Sequence, residues 1–125
     1  MLFDTDVIIW AFRGSAKAAR EIEHASPRVI SAVTYMELLQ GARNKREQNL
    51  IRHFLNSTGF IVLPITEAIS HRAMNFIEEF ALQSGLQLAD ALVFATACES
   101  SLCLCSSNEK HFRCISALET KRFVP

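Results

Sequence analysis

Short apolar runs alternate with longer helical patterns along the whole chain, and this alternation constrains the fold more than any other feature. Strands are predicted at Met1–Phe3, Arg28–Ser31, Phe60–Leu63 and Leu102–Cys105, with a last short edge strand at Cys114–Leu118. Strands that are separated by helices pair in parallel through helical crossovers. The sequence therefore predicts an α/β fold, a three-layer α/β/α sandwich around a mostly parallel sheet of roughly four to five strands.

The segments between these strands carry helical periodicity. Apolar residues recur at spacings of three and four, or along one side, as amphipathic helices require. One segment is expected to end at Gly41, which can adopt a left-handed stop. Another, apolar on nearly every side, is predicted to be a buried helix. The predicted helices are Asp6–Phe12, Ser15–His24, Thr34–Gly41, Lys45–Asn56 (with Leu50, Ile51, Phe54 and Leu55 on one side), Glu67–Ser84 and Leu88–Glu99.

Length and composition indicate one compact domain over residues 1–125, because half of the 125 residues are hydrophobic and can form a core. No apolar run reaches the roughly 18 residues that a membrane span needs, and Asp4 and Asp6 interrupt the apolar start, unlike a secretory signal. The cysteines are expected to be reduced, buried and structural in a cytoplasmic protein, and they are Cys98, Cys103, Cys105 and Cys114.

Several carboxylates stand at the starts of predicted helices, and each has a purely structural explanation. Asp4 would accept hydrogen bonds from the helix that follows it, and Asp6 would be an N-cap. Glu37 would complete a capping box with Thr34. Asp90 would be favoured in a first turn by the helix dipole. Each of these explanations is credible when its residue is considered alone.

The same carboxylates have a joint explanation as a metal site. In open parallel sheets, sites form at the carboxyl ends of the strands, where the starts of these helices can converge. Asp90 is the only charged residue between Glu79 and Glu99, which leaves it the hardest to explain structurally. Carboxylates brought together repel, and a divalent cation such as Mg²⁺ or Mn²⁺ relieves the repulsion. Such a site suits hydrolysis of a phosphodiester.

Four stretches of the chain resemble the PIN-domain family, and within it the VapC-type toxin nucleases of bacterial and archaeal toxin–antitoxin pairs. They are Leu2–Ile8, Tyr35–Gly41, Ala89–Ala97 and Ser106–Phe112. Each motif is weak alone, but their order and spacing follow the family over the whole chain. The resemblance implies a cytoplasmic Mg²⁺- or Mn²⁺-dependent endoribonuclease, a homodimer, a small antitoxin partner that blocks the site, and structured targets such as tRNA or rRNA.

The resemblance also implies roles for individual residues. Asp4, Glu37 and Asp90 would form the catalytic acidic core and hold the metal, with Asp6 as a further candidate ligand. Many PIN domains place a fourth acid after the strand at Leu102–Cys105.

At the position of that fourth acid this chain has Asn108, with Glu109 next to it. Asn108 is expected to complete the catalytic set as a neutral oxygen ligand or as a hydrogen-bond donor to water, and Glu109 could substitute if the loop shifts by one residue. Ser106 resembles the family's threonine or serine here, and could bond an acid or the nucleophilic water.

Charge does not by itself point to RNA, because 13 Lys and Arg balance 13 Asp and Glu. Any nucleic acid must be held by a local patch, by metal ions or by a partner. Lys110 and Arg43 are the candidate substrate contacts, with Ser106. Arg43 belongs to a basic group that fits a solvated helix face as well as a phosphate or antitoxin contact, and it comprises Arg43, Lys45, Arg46, Arg52 and His53. His111 beside the site loop is not expected to be catalytic.

Three other functions remain open at the level of sequence. Asp4-Thr5-Asp6-Val7 after the first strand resembles the nucleophile motif of haloacid-dehalogenase-type phosphatases, although the chain is short for that family. Asn108 leaves room for a module that binds RNA or protein without cleaving it. A PIN nuclease of RNA maturation, which is not a toxin, would carry the same residues.

Overall fold

The computed structural model describes all residues from 1 to 125 and contains a five-stranded sheet in which every neighbouring pair of strands is parallel. The strands are β1 (Leu2–Phe3), β2 (Val29–Ser31), β3 (Ile61–Leu63), β4 (Leu104–Ser106) and β5 (Thr120–Arg122). Across the sheet they run in the order β3-β2-β1-β4-β5, so β1 is central. The predicted α/β sandwich with a parallel sheet is confirmed.

Seven helices connect and cover the strands: α1 (Thr5–Phe12), α2 (Ala16–Glu23), α3 (Ala32–Gln40), α4 (Lys45–Ser57), α5 (Glu67–Ser84), α6 (Leu88–Glu99) and α7 (Glu109–Phe112). The bounds of α5 and α6 are those that the periodicity predicts. Gly85 ends α5 in the left-handed region, with φ +71, where glycine carries no Cβ penalty. None of the helices combines the length and the apolar character that crossing a bilayer requires.

The two faces of the sheet are covered by separate hydrophobic cores, because neighbouring residues of a strand point to opposite faces. In the central strand Leu2 lies in the first core and Phe3 in the second. The first core is filled mainly by α5 and α6, and Phe94 of α6 is among its largest fully buried side chains. The second is filled by α1, α2 and α4, through residues such as Ile8 and Ile22. The result is the three-layer arrangement.

The last strand is not where the apolar pattern predicts it. Ile115 and Leu118, within the predicted strand at Cys114–Leu118, are buried in the first core from a turn rather than from a strand. The strand itself is β5, whose three side chains are all exposed. Because β5 has no apolar pattern, periodicity could not find it, although its parallel pairing with β4 places it at the predicted edge of the sheet.

Two predicted helix starts are also wrong. Asp4, not Asp6, is the N-cap of α1, and its carboxylate accepts a hydrogen bond from the Thr5 amide. The cap of α3 is Ser31, which bonds the Val33 amide, so no capping box joins Thr34 to Glu37. Glu37 instead lies in the middle of α3, so the capping role that was predicted for it does not apply.

Two smaller predictions about helix ends and faces fail as well. Gly41 ends α3 with φ −78, which is not the left-handed conformation. Leu50 of α4 is half exposed, although Ile51 and Leu55 on the same helix are buried in the second core as predicted. Position 50 lies beside the apolar stripe, at its solvent edge, where a leucine is tolerated.

All four cysteines are free. Burial was predicted for each of them, but only Cys105 is fully buried, in the second core. Cys98 and Cys114 are half-buried against the first core, and Cys103 is half-buried. Burial raises the pKa of the Cys105 thiol to about 12, which keeps this thiol protonated and unreactive.

Packing between α6 and α7 gives a first testable prediction. The ring of Phe94, 1% exposed, meets the ring of Phe112 edge to face with centroids 6.3 Å apart. Phe94→Ala should lower the free energy of unfolding by about 3–5 kcal/mol, because it leaves a cavity in a closed core. Leu88→Ala on the same helix, at a side chain 71% exposed, should change it by less than about 0.5 kcal/mol. Urea unfolding measures both, and equal effects would contradict this packing.

Candidate active site

Asp4 lies at the carboxyl edge of the sheet, immediately after the central strand. Its amide donates to the Cys105 carbonyl at 2.9 Å, which continues the pairing of β1 with β4. Its carboxylate accepts from the Thr5 amide on Oδ1 and from the Ser106 hydroxyl on Oδ2, each at 2.8 Å. Since Ser106 is the last residue of β4, two adjacent strands fix this one carboxylate. The predicted bond between Ser106 and an acid is therefore present.

The pKa of Asp4 is raised from its ordinary value of 3.8 to about 6. Burial is the main cause, since the residue is only 9% exposed, and the negative charge of Asp6 is the second. The hydrogen bonds from Ser106 and Thr5 lower the pKa, and the charge of Asp90 raises it further. The charges of Asp6 and Asp90 therefore both lie close enough to Asp4 to disfavour its ionised form.

The loop after β4 is held by the same acids. Asp6 accepts from the Val7 amide on Oδ1, at 2.7 Å, and from both the amide and the hydroxyl of Ser107 on Oδ2. The Asn108 amide donates to the Ser106 hydroxyl oxygen at 3.1 Å. Ser107 is a site residue that the sequence analysis missed, because a serine in a loop carries no pattern that separates it from its neighbours.

Glu37 reaches the site through Thr5, the residue next to Asp4. The Thr5 hydroxyl donates to Glu37 Oε1 at 2.8 Å and lies 3.1 Å from the hydroxyl of Thr34, which can donate to it in turn. Glu37 is exposed on α3, whereas Thr34 is fully buried. The structure thus links Glu37 to the start of α1 by one hydroxyl group, and Thr5 is a second residue that the sequence analysis missed.

Asp90 contacts a histidine rather than its own helix. It lies in the first turn of α6, as predicted, but its Oδ2 is 2.7 Å from Nδ1 of His111 on α7. The side-chain amide of Asn108 is 3.1 Å from the same ring nitrogen. Asn108 bonds no carboxylate directly, and because Nδ1 of His111 must carry the proton that Asp90 accepts, it cannot also accept from the Asn108 amide nitrogen. Asn108 therefore only adjoins the site, beside His111. Glu109 does not turn toward the acids, because it pairs with Arg122 at 3.1 Å.

The two basic residues that were expected to contact substrate differ in their surroundings. Lys110 is exposed beside the site loop and forms no ion pair. Arg43 is paired with Glu47 at 2.9 Å. Arg43, Glu47 and Glu37 also line a cavity of about 370 Å³ between α1, α3 and α4, whose apolar wall consists of Ile8, Ile9, Phe12, Leu38, Ile51 and Phe54.

The donor set at the carboxyl edge fits Mg²⁺ or Mn²⁺ better than a soft metal. No three acidic, histidine or cysteine side chains stand close enough together in this structure to hold a metal ion between them. Glu37 Oε2 and Asp90 Oδ1 accept no hydrogen bond from the protein and remain free. Mg²⁺ needs only one or two carboxylates because it keeps several of its waters, and its oxygen ligands match the chemistry present here. Asp4, Glu37 and Asp90 therefore offer oxygen donors of the kind that Mg²⁺ accepts, but the structure does not bring all three to one point.

The raised pKa of Asp4 gives a second prediction. The folded chain holds a proton that the unfolded chain releases, so protonated Asp4 stabilises the fold fully below about pH 4, and this stabilisation disappears as the pH rises through about 6. Asp4→Asn cannot ionise. In EDTA, the free energy of unfolding of the native chain relative to Asp4→Asn should fall by about 2 kcal/mol between pH 4 and pH 7. The same difference measured against Glu78→Gln, a change at an exposed residue, should not vary with pH. A difference between the native chain and Asp4→Asn that does not vary with pH would contradict the burial of the Asp4 carboxylate.

Comparison with known proteins places this geometry in a family. The family described as PIN domain matches residues 1–117. A chain of a toxin–antitoxin complex from Klebsiella pneumoniae is 32% identical, with a TM-score of 0.79 and 98% of each chain covered. Chains of VapBC2 from Rickettsia felis, bound to a promoter DNA fragment, and of VapBC-1 from nontypeable Haemophilus influenzae show the same fold at 17% and 21% identity, with TM-scores of 0.84 and 0.81. The Rickettsia comparison covers 98% of both chains, and the Haemophilus comparison covers 97% of this chain and 96% of the other.

A comparison with curated protein sequences gave no match. The family match nevertheless spans nearly the whole chain, and the similarity to the Klebsiella pneumoniae chain covers 98% of it. The predicted resemblance to PIN-domain toxins is confirmed by these similarities. This chain belongs to the PIN-domain family.

Proposed function

We propose that this chain is a Mg²⁺- or Mn²⁺-dependent endoribonuclease that hydrolyses phosphodiester bonds of RNA, and that it is the toxin of a type II toxin–antitoxin pair. PIN domains are generally nucleases and typically use divalent metals. The observation that carries the proposal is the environment of Asp4 at the carboxyl edge, where its pKa is raised to about 6, mainly by burial and further by repulsion from the charges of Asp6 and Asp90. A cation relieves such repulsion.

Asp4, Glu37 and Asp90 would hold the cation, with Asp6 as a weaker candidate because both of its oxygens already accept protein hydrogen bonds. When bound, the ion lowers the pKa of an attacking water and neutralises charge that develops on the phosphate. The protein itself supplies orientation. Ser106 fixes the Asp4 carboxylate by donating to Oδ2, and the Thr5 hydroxyl fixes Glu37 through Oε1.

The side chains beside Asp90 complete the proposed site. His111 orients the Asp90 carboxylate through Oδ2 and leaves Oδ1 free. Asn108 follows β4 by two residues. Its side-chain amide can donate a hydrogen bond to a water or accept one from it, without adding negative charge. Glu109 is not part of the proposed ligand set, because Arg122 engages it. Lys110 is exposed at this loop and would contact an RNA phosphate.

Cleavage of RNA by variant proteins tests this proposal. Asp4→Asn and Asp90→Asn should each reduce kcat/KM on a tRNA or rRNA substrate at least about a hundredfold, which corresponds to about 3 kcal/mol of transition-state stabilisation. Glu78→Gln, an exposed change on α5, should cleave like the native protein. EDTA should abolish cleavage and added Mn²⁺ or Mg²⁺ should restore it. Undiminished cleavage by both Asn variants, or by protein in EDTA, would refute the mechanism.

The proposed partner is a small antitoxin protein, as in the similar complex from Klebsiella pneumoniae. The cavity between α1, α3 and α4 supports this, because its apolar wall would accept apolar side chains of a peptide and its rim includes Glu37. A peptide bound there would approach the acidic site and block it.

We further propose a homodimer, because Ile61 and Val62 of the edge strand β3 are half exposed. Light scattering in solution, which measures the molecular mass, tests whether the chain is a dimer.

The same fold also suits an enzyme of RNA maturation. A neighbouring short reading frame that encodes a DNA-binding antitoxin would favour the toxin, and its absence would favour maturation. A module that binds metal without cleaving any RNA pool is the remaining alternative, motivated by Asn108 in place of a fourth acid. The phosphatase alternative would require a phosphoryl-Asp4 intermediate, and membership of the PIN-domain family leaves it without support.

A further inference from the structure

A second cavity lies between α2 and the segment that contains β5. Its volume is about 260 Å³, and only two of its eight lining residues are hydrophobic. The charged and titratable side chains of this α2–β5 cleft are Lys17, Arg20, Glu21, His24, Lys121 and Arg122. They include four cations and one carboxylate, although the chain as a whole is neutral. The cleft is thus a local concentration of positive charge.

The cations of the cleft divide into two kinds. Lys121 is paired with Glu21 at 2.7 Å, and Arg122 with Glu109 at 3.1 Å. Lys17 and Arg20 are exposed and form no ion pair with any carboxylate. They are three residues apart on α2, so their side chains share one face of the helix. Two cationic side chains without an ion-pair partner therefore lie beside two that are paired, and such a surface suits a polyanion.

The cleft is continuous with the acidic site. Arg122 is the register partner of Ser106, and the Phe123 amide donates to the Ser106 carbonyl at 2.8 Å. The Arg122–Glu109 pair joins the cleft to the loop that carries Asn108. Since adjacent strands lie about 4.8 Å apart, the end of β5 is roughly 10 Å from the end of β1, where Asp4 stands. A chain of phosphates in the cleft can therefore extend to the acids.

We propose that the α2–β5 cleft binds the phosphate backbone of the RNA substrate and guides the strand to the acidic site. This inference rests on the proposed nuclease function and supplies the local patch that a neutral nuclease needs. Lysine and arginine contacts to phosphates position a nucleic acid without reading its sequence. An acidic peptide fits less well, because a peptide gains affinity from apolar side chains and only Phe123 and Val124 could receive them here.

The test is a double variant of the two free cations, Lys17→Ala with Arg20→Ala. Binding of a fluorescently labelled single-stranded RNA of mixed sequence is measured by anisotropy in EDTA, over a series of salt concentrations. For single strands the slope of log K against log salt is about 0.7 per phosphate contact, so the slope should become shallower by about 1.4. Both side chains are exposed and alanine favours helix, so the fold should survive, which circular dichroism checks.

The matched control is Arg72→Glu on α5, which changes the net charge by the same two units at a residue outside both the cleft and the acidic site. Its salt slope should equal that of the native chain. An unchanged slope for the Lys17 and Arg20 variant, or an equal loss for the control, would overturn the assignment. Loss of binding to a polyglutamate peptide with normal RNA binding would overturn it as well, in favour of an acidic peptide partner.

Cleavage separates this inference from the proposed function. If the native protein cleaves RNA but the Lys17 and Arg20 variant binds it with the native slope, the cleft is refuted and the nuclease stands. If no RNA is cleaved under any metal but the slope falls by about 1.4 in the variant, the cleft binds RNA and the nuclease is refuted. A native chain that shows no RNA binding in EDTA refutes the cleft.

Discussion

The hydrogen bond from Ser106 to Asp4 joins the central strand to its neighbour at the carboxyl edge, and most of the site depends on it. A carboxylate that is 9% exposed is costly unless donors meet it, and here Ser106 and the Thr5 amide do so. The same residue caps α1, so the helix begins where the carboxylate is held. This start places Thr5 against Glu37 and places Asp6 against the loop after β4. One buried acid thus determines where its neighbours lie.

Much of this arrangement could be predicted from the sequence, because apolar periodicity and parallel topology are local and geometric. The bounds of α5 and α6 and the position of Asp4 after β1 follow directly from them. What could not be predicted has no apolar signal, such as the exposed strand β5, or depends on side-chain contacts between distant segments. His111 reaches Asp90 across 21 positions, and no pattern within α7 indicates that contact. Glu37 was given a capping role because Thr34 and Glu37 have the spacing of a capping box, but the helix begins earlier and Ser31 caps it.

The molecule has three surfaces of different character. The carboxyl edge is acidic, the cavity toward α3 and α4 is mainly apolar, and the cleft between α2 and β5 is basic. A net charge of zero therefore conceals a strong local separation of charge. Such a separation suits a nuclease that must hold a polyanion beside a cluster of carboxylates, because the cations attract the strand while the acids remain free for a metal. The apolar cavity, lined by α1, α3 and α4, is the surface proposed for a protein partner.

The central claim is that Asp4, Glu37 and Asp90 serve one cation at the carboxyl edge. Anomalous diffraction from crystals grown with Mn²⁺ tests it most directly, because the scattering identifies the ion and its position. The account predicts a peak within about 2.0–2.3 Å of carboxylate oxygens from both Asp4 and Asp90, with Glu37 bound directly or through a water. A peak at His111 without Asp4, or no peak at this edge in crystals that bind Mn²⁺ elsewhere, would contradict it.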